Sequence, residues 1–173
     1  FPNTWNQNYA SLGNIIEAER IAADAGNEQM VGAAKVMKSW VFSTLTLAYG
    51  DIPYSEAITG SDSANWFPVY DTQEEIITGT NGLLEELARA VQLLDNGGSI
   101  QGDILFNGDA TKWKKLANAM RLRLLMYTSV KQNVGAEFAA IVANESLMES
   151  NADNGVLTYT GNFPNEYPLV PLK

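Results

Sequence analysis

The fold class is decided by residues 28–49, Glu28-Gln-Met-Val-Gly-Ala-Ala-Lys-Val-Met-Lys-Ser-Trp-Val-Phe-Ser-Thr-Leu-Thr-Leu-Ala-Tyr49. Apolar residues recur here at the three- and four-residue spacing of an α-helix. A helix that is apolar over much of its circumference is expected to lie buried between neighbouring elements. The stretch therefore predicts an all-α domain with Trp40 in its core. The stripe comprises Met30, Ala34, Met37, Val41, Leu45 and Ala48, widened by Val36, Trp40, Phe42 and Leu47.

A second helix is predicted immediately before it, at residues 5–25. Tyr9, Leu12, Ile15 and Ala22 recur on helical spacing, and Gly26-Asn27 is a typical stop signal. Because so few residues link the two helices, they are expected to form an antiparallel hairpin.

A third helix is predicted at residues 71–94. Asp71 or Thr72 can cap its first turn, because a glutamate follows three positions later in a capping-box pattern. Two glycines weaken the middle of the helix, at residues 78–82, without being expected to break it. Four glutamates are expected on its solvated surface: Glu74, Glu75, Glu85 and Glu86.

Two further helices are predicted at residues 111–131, capped by Asp109, and at residues 134–145. Residues 156–160 are interpreted as a short extended segment. Inward-facing positions are predicted at Trp113, Met120, Leu124 and Tyr127 on the fourth helix and at Phe138, Ile141 and Val142 on the fifth.

The predicted helices occur in pairs separated by loops. This arrangement favours an all-α fold of tetratricopeptide-like antiparallel helix pairs with long loops, even though no strict sequence repeat is visible. A simple helix bundle is the alternative.

Charge limits the classes of partner. Twenty acidic residues face eleven basic ones, giving a net charge of -9. Such a surface repels nucleic-acid phosphates and anionic lipid head groups, so we expect no nucleic-acid partner. No apolar run reaches the roughly 20 residues that a membrane span needs. No signal peptide is apparent, and the opening Phe1-Pro2-Asn3 is interpreted as the start of a mature or truncated product.

The chain contains no cysteine and no histidine. Their absence excludes disulfides, cysteine nucleophiles, cysteine-rich zinc sites and histidine-dependent catalysis. Residues 95–103 and 151–155 are rich in oxygen ligands but do not match the calcium-loop pattern, so they are interpreted as turns. We therefore predict no catalytic residue, no metal site and no cofactor.

One catalytic alternative remains, because glycosidases use a pair of carboxylates. Asp51 and Glu56 lie in the same loop as an aromatic residue. The simpler interpretation is that Asp51 serves a turn after the second helix and that Glu56 faces solvent.

Aromatic residues outside the helix stripes are the most informative candidates for binding. The flat ring of a tryptophan accepts the apolar face of a pyranose, while neighbouring amides bond its hydroxyl groups. Trp5, Asn8 and Trp66 fit this description and are predicted to contact a glycan. The alternative is that each tryptophan packs into the helices or into an interface.

The long loop at residues 50–70 is a second candidate surface, because long ordered loops in compact domains are often functional. It contains aromatic and acidic side chains that suit a partner contact. The residues predicted for that contact are Asp51, Tyr54, Phe67 and Tyr70.

Four ordered segments resemble signatures of the SusD/RagB-like proteins of the Bacteroidetes outer membrane, and together they cover nearly the whole chain. They are Tyr49-Gly-Asp-Ile-Pro-Tyr-Ser-Glu-Ala57, Pro68-Val-Tyr-Asp-Thr-Gln-Glu-Glu-Ile76, Gly102-Asp-Ile-Leu-Phe-Asn-Gly-Asp-Ala-Thr-Lys-Trp-Lys-Lys-Leu-Ala-Asn118 and Asn162-Phe-Pro-Asn-Glu-Tyr-Pro168.

The resemblance implies a non-catalytic surface lipoprotein that captures an oligosaccharide or polysaccharide and passes it to a SusC-like TonB-dependent transporter. Its membrane contact would be a lipid anchor that this chain lacks. Residues 1–173 would form the helical-repeat region of a larger single-domain protein, mainly scaffold and transporter-contact surface. A helical-repeat adaptor that binds a protein or peptide is the alternative.

Overall fold

The computed structural model describes residues 2–60, 65–95, 99–159 and 161–162. Within these ranges the regular elements are helical, and β-type pairing is limited to two isolated bridges, Ile52 with Asp71 and Ser99 with Asp109. The predicted all-α fold class is therefore confirmed. The helices are α1 (Pro2–Asp24), α2 (Glu28–Tyr49), α3 (Gln73–Thr78), α4 (Leu83–Leu94), α5 (Ala110–Thr128) and α6 (Gly135–Asn144), followed by a 3-10 turn at Asn151–Asp153.

The first two helices form the predicted hairpin, and α2 has the predicted bounds. Gly26 adopts a φ of 67° in the link, and the Asn27 side chain accepts a hydrogen bond from the Met30 amide at 3.1 Å. Helix α2 packs against α1 on one side and α4 on another, and α4 packs in turn against α5. The hairpin thus continues into a layer of paired helices.

The predicted third helix is in fact two helices, so the expectation of one continuous helix to residue 94 is wrong. Thr72 and Glu75 form the predicted capping box, but Gly79 is extended at the end of α3, and so is Gly82 at the start of α4. A Cβ on Gly79 would lie 2.5 Å from the Glu75 carbonyl oxygen. Between the two glycines, Asn81 has a φ of 59°, which no continuous helix allows.

Helix α5 begins as predicted, because the Asp109 side chain accepts hydrogen bonds from the Thr111 and Lys112 amides at 2.9 and 3.3 Å. It ends at Thr128, three residues before the predicted end. Helix α6 lies within the predicted range. The described residues 156–159 join no strand, while Thr160 and the signature segment from residue 163 onward lie outside the described residues.

Five residues predicted to face inward are exposed: Met37, Trp40, Ala48, Tyr127 and Val142. Trp40 is 45% exposed and lies with Met37 and Thr44 on one side of α2 that is exposed in the part of the chain that the structure describes. Tyr127 and Val142 are about half exposed, because only one side of α5 and α6 is covered near the end of the layer. Trp113 is buried as predicted. The core centres on Leu12, Val36, Leu45, Ile76, Leu87, Ala117 and Leu124.

The two oxygen-rich segments are turns in the part that the structure describes. The Asp103 carboxylate accepts hydrogen bonds from the amides of Leu105, Phe106 and Gly108 and from the Trp113 indole. Asp153 accepts bonds from two amides in the same way. Residues 96–98 lie outside the described ranges, within which no group of acidic side chains is arranged to hold a metal. None of the described helices is long and apolar enough to cross a membrane.

Candidate functional site

An open groove of about 480 Å³ lies between the start of α1 and the loop that follows α2. We call it the aromatic groove, because most of its described lining is aromatic or proline. The structure brings together Trp5 and Trp66, predicted to contact a glycan, with Phe67 and Tyr70, predicted to contact a partner. The lining consists of Trp5, Tyr9, Pro53, Ala57, Ile58, Trp66, Phe67, Pro68 and Tyr70.

The α1 side of the groove is held by stacked rings. Trp5 and Tyr9 are one helical turn apart, with ring centroids 4.8 Å apart, and the edge of Tyr49 meets Trp5 at 5.1 Å. Tyr70 lies nearly parallel to Trp5 across the groove, at 6.5 Å. The Tyr9 hydroxyl donates a hydrogen bond of 2.7 Å to the Pro53 carbonyl. These contacts fix Trp5 in a half-buried position.

The loop side of the groove is unusually exposed for such apolar residues. Trp66 is 73% exposed, Phe67 91% and Tyr70 64%. Gly60 lets the Trp66 ring lie close to the backbone, since a Cβ there would be 3.1 Å from the ring. A cluster of exposed aromatic side chains is typical of a binding surface, because removing apolar surface from water lowers the free energy.

Two carboxylates hold this loop in place. One Glu56 oxygen accepts hydrogen bonds from the Asn65 side chain at 2.8 Å and the Val69 amide at 3.0 Å. Asp71 accepts bonds from the amides of Tyr54 and Ser55 at 2.9 and 2.8 Å, and from the Ser55 hydroxyl at 2.7 Å. Partial burial tends to raise the pKa of Asp71, but the bonds from Ser55 and Tyr54 bring it below its ordinary value.

These contacts correct the expectation that Glu56 simply faces solvent. They also bear on the glycosidase alternative. The Asp51 side chain accepts a bond from the Gln73 amide at 2.8 Å, at the start of α3, as expected for a residue that serves a turn. Both carboxylates are therefore engaged in holding backbone.

The remaining predicted site residues lie elsewhere. The Asn8 side chain donates a 2.7 Å hydrogen bond to the Thr4 carbonyl within α1 and does not line the groove. Tyr54 packs edge-on against Phe42 at 4.7 Å, and its hydroxyl donates to the Asn81 carbonyl. Sequence reasoning did not assign Tyr9 to the site, although its position four residues after Trp5 on one helix was an available signal.

A polar recess of about 630 Å³ adjoins the groove, sharing Ala57 with it. At its base, the Lys35 ammonium lies 2.8 Å from Glu19 and 2.9 Å from Glu86, and Lys38 lies 2.7 and 3.2 Å from the same two carboxylates. We call these four side chains the ion cluster. It joins α1, α2 and α4 and leaves neither ammonium without a carboxylate.

Glu86 is 6% exposed, so the prediction that it lies on a solvated surface is wrong. The amphipathic pattern of α4 did not reveal two lysines on α2 opposite it. Burial tends to raise the pKa of Glu86, but the hydrogen bond from Lys35 and the charges of both lysines bring it below its ordinary value. Burial likewise tends to lower the pKa of Lys35, and its bonds to Glu19 and Glu86 reverse that effect.

Comparison with known proteins identifies the family to which the chain belongs. A sequence profile of the SusD-like family, described as starch-binding and associating with the outer membrane, matches residues 2–172. The chain belongs to the SusD-like family. A comparison with curated protein sequences found no match.

Three solved structures show how much of such a protein this SusD-like chain represents. A SusD homologue from Bacteroides fragilis has a TM-score of 0.82 at 37% identity, over 92% of this chain and 35% of its own. A second B. fragilis SusD homologue has a TM-score of 0.76 at 31% identity, over 90% and 34%. A chitin-binding protein has a TM-score of 0.75 at 37% identity, over 90% and 33%. The chain thus spans about a third of each relative.

Proposed function

We propose that this chain is the helical-repeat region of a non-catalytic glycan-capture protein, and that its aromatic groove contacts the glycan. The proposal includes the interpretation that residues 1–173 are part of a larger single domain, because the solved relatives are about three times as long. It also includes a surface lipoprotein location and delivery of the glycan to a SusC-like TonB-dependent transporter.

The observation that carries the proposal is the exposed aromatic surface of Trp66, Phe67 and Tyr70, opposite a fixed Trp5. Aromatic faces pack against the C–H face of a pyranose, and a preformed platform loses little conformational entropy on binding. The groove is open rather than enclosed, which suits a chain-like ligand. A relative described as chitin-binding makes chito-oligosaccharide a rational first probe.

The test is isothermal titration of the full-length protein with chito-, cello- and malto-oligosaccharides. We expect Trp66→Ala to weaken binding at least about tenfold, equivalent to about 1.4 kcal/mol. Trp40→Ala is the matched control, since Trp40 is also an exposed tryptophan but does not line the groove. If Trp66→Ala binds as tightly as the wild type, the groove is not the glycan site.

A second surface exposes apolar side chains that suit a contact with further polypeptide, of the same protein or of a partner. A cavity of about 450 Å³ at the end of α5 has Leu47, Ile77, Tyr127 and Val130 in its lining, together with polar residues that include Glu74 and Lys131. Val130 is 87% exposed, and the neighbouring Met126 is 60% exposed. We call this the α5 apolar surface.

The transporter partnership has its own test. A SusC-like transporter is captured with the wild-type protein and with a variant in which the loop of residues 51–70 is shortened. The predicted contact at Asp51, Tyr54, Phe67 and Tyr70 leads us to expect loss of capture. Retained capture would remove the loop as the contact and direct attention to the α5 apolar surface.

A further inference from the structure

The described residues that line the aromatic groove are all uncharged. Residues 61–64 of the same loop add one aspartate and no basic residue in the sequence. Proteins bind carboxylates and sulfates with arginine, lysine or clustered amide donors, and the described side chains along this groove include no such cation. The groove therefore has the means to stack sugar rings but not to neutralise an anionic group.

Two carboxylates are hydrogen-bonded to the loop that forms one side of the groove. Glu56 holds Val69, and Asp71 immediately follows Tyr70. The charge of Asp71 reaches the groove lining: burial, Tyr70 and Asp71 together raise the pKa of the Tyr9 hydroxyl. An anion that entered the groove would lose hydration and meet like charges.

The basic side chains that the structure describes lie outside the groove lining. Lys35 and Lys38 belong to the ion cluster. Arg123 lies over the Tyr127 ring, and Lys131 lines the cavity at the end of α5. Ion pairs hold Arg20, Arg89, Lys114, Lys115 and Arg121, and Lys112 donates to the Ala152 carbonyl.

We propose that the aromatic groove selects uncharged glycans and discriminates against glycans that carry uronic acid or sulfate groups. This inference rests on the proposed function, because it concerns the ligand of the same groove. Stacking on Trp5 and Trp66 suits a neutral sugar, whereas an acidic group finds no compensating cation among the described lining residues, beside a loop that is held by Glu56 and Asp71.

The test compares matched glycans on the full-length protein. The neutral probe is the oligosaccharide that binds best in the titration above, and its acidic counterpart is the same chain oxidised at C6. Polygalacturonate and a sulfated galactan are titrated as independent acidic probes. We expect the acidic chain to bind at least about tenfold more weakly at low salt. The difference should shrink at high salt, where charges are screened over about 3–10 Å.

Two variants test the electrostatic cause. Glu56→Gln removes a charge but keeps an oxygen to accept the bonds from Asn65 and Val69, and Val69→Lys adds a cation beside the groove. Both should narrow the affinity gap between neutral and acidic glycans. Val69→Lys, at a residue outside the groove lining, should do so while changing the affinity for neutral glycans less than about twofold. Glu137→Gln, an equal charge change on α6, should leave the gap unaltered.

The outcomes separate this inference from the proposed function. Acidic glycans that bind as tightly as neutral ones, and lose binding in Trp66→Ala, would overturn the selectivity and leave the groove as the glycan site. A gap that neither Glu56→Gln nor Val69→Lys narrows would also overturn it. Binding of no glycan, or binding indifferent to Trp66→Ala, would overturn the proposed function and the inference with it.

Discussion

At the scale of single residues, the clearest design is Asp103, which organises the turn before α5. Its carboxylate accepts bonds of 2.8 Å from the Leu105 amide and 2.9 Å from both the Gly108 amide and the Trp113 indole. Partial burial tends to raise its pKa, but these bonds bring the pKa below the ordinary value of 3.8. One ionised side chain thus fixes both the turn and a core tryptophan.

We expect Asp103→Ala to lower the free energy of unfolding by about 1–3 kcal/mol at pH 7, because several donors lose their acceptor. Urea denaturation of the wild type and of Asp103→Ala at several pH values measures this difference in the free energy of unfolding. Since the pKa is lowered in the folded state, the carboxylate stabilises fully above its ordinary pKa and loses that effect as the pH falls through the folded pKa. The gap between wild type and variant should therefore shrink in acid. A gap that is constant down to pH 2 would contradict this assignment.

The sequence could predict individual residues where their role is local. Thr72 and Asp109 cap helices as predicted, because a cap depends on residues only three positions away. It failed for Glu86 and Trp40, whose environments depend on which helix packs alongside. Local chemistry in the sequence identified Trp5 and Trp66 as candidates. It did not predict that Tyr9 and Pro53 line the same groove, because the hydrogen bond between these two residues spans 44 positions of the chain.

At the scale of elements, the approach of α2 and α4 depends on a small residue. A Cβ on Gly32 would lie 2.8 Å from the Leu94 side chain and 3.3 Å from the Ala90 carbonyl oxygen. Gly13 on α1 is the opposite case, because a Cβ there would have only an ordinary contact at 3.9 Å with Ile58. The two helical glycines therefore respond oppositely to the same substitution.

We expect Gly32→Ala to destabilise the protein by about 1–3 kcal/mol, because the packed helices must move apart. We expect Gly13→Ala to stabilise it by about 0.5–1 kcal/mol, because alanine favours the helix and finds room. Thermal and urea unfolding of the two variants provide the measurement. Equal changes in stability at both positions would show that the close contact of α2 with α4 does not limit the size of the residue at position 32.

The ion cluster is the other device that joins elements. We expect Glu86→Gln to lower the free energy of unfolding by about 2–4 kcal/mol, because Lys35 and Lys38 would then share Glu19 alone in a mostly buried site. Glu17→Gln, in an exposed pair with Arg20, should have no measurable effect. A negligible loss for Glu86→Gln would indicate that the lysines readily reach water.

Element boundaries followed the sequence where stop and start signals were strong, as at Gly26-Asn27 between α1 and α2. Helix propensity, which assigns the two glycines only a modest cost, does not predict the break between α3 and α4. What decides the break is geometry: Gly79 and Gly82 both take extended conformations that end one helix and begin the next. Helix propensity estimates the free-energy cost of each residue within a helix. It does not describe the non-helical backbone conformation that the segment can adopt instead.

At the scale of the whole molecule, the groove is assembled from the first helix and a loop some sixty residues later. Helical periodicity predicted the layer of helices, because the spacing of apolar residues within each helix indicates which of its faces is buried. The convergence of Trp5 with Trp66 depends instead on the hairpin and on the carboxylates that fold the loop back. Local sequence pattern contains no signal for the distance between Trp5 and Trp66, which is why the sequence predicts individual glycan contacts but not the groove that joins them.

The α5 apolar surface leads to the last prediction, which concerns the polypeptide as a whole. The chain aligns with only 35% of the B. fragilis SusD homologue, so we expect further polypeptide of the full-length protein to cover Val130. Val130→Lys should then destabilise the full-length protein by about 1–3 kcal/mol, because burying an unpaired cation is costly. Ile104→Lys, at another exposed apolar residue, is the control and should change stability by less than about 0.5 kcal/mol.

Thermal unfolding of the full-length protein distinguishes the possible occupants of this surface. Loss of stability in Val130→Lys alone identifies a contact within the same polypeptide. Unchanged stability combined with lost capture of the transporter identifies an intermolecular contact and contradicts the prediction. Unchanged stability and unchanged capture would mean that Val130 faces solvent in the full-length protein, and the adaptor alternative would lose the surface that favours it.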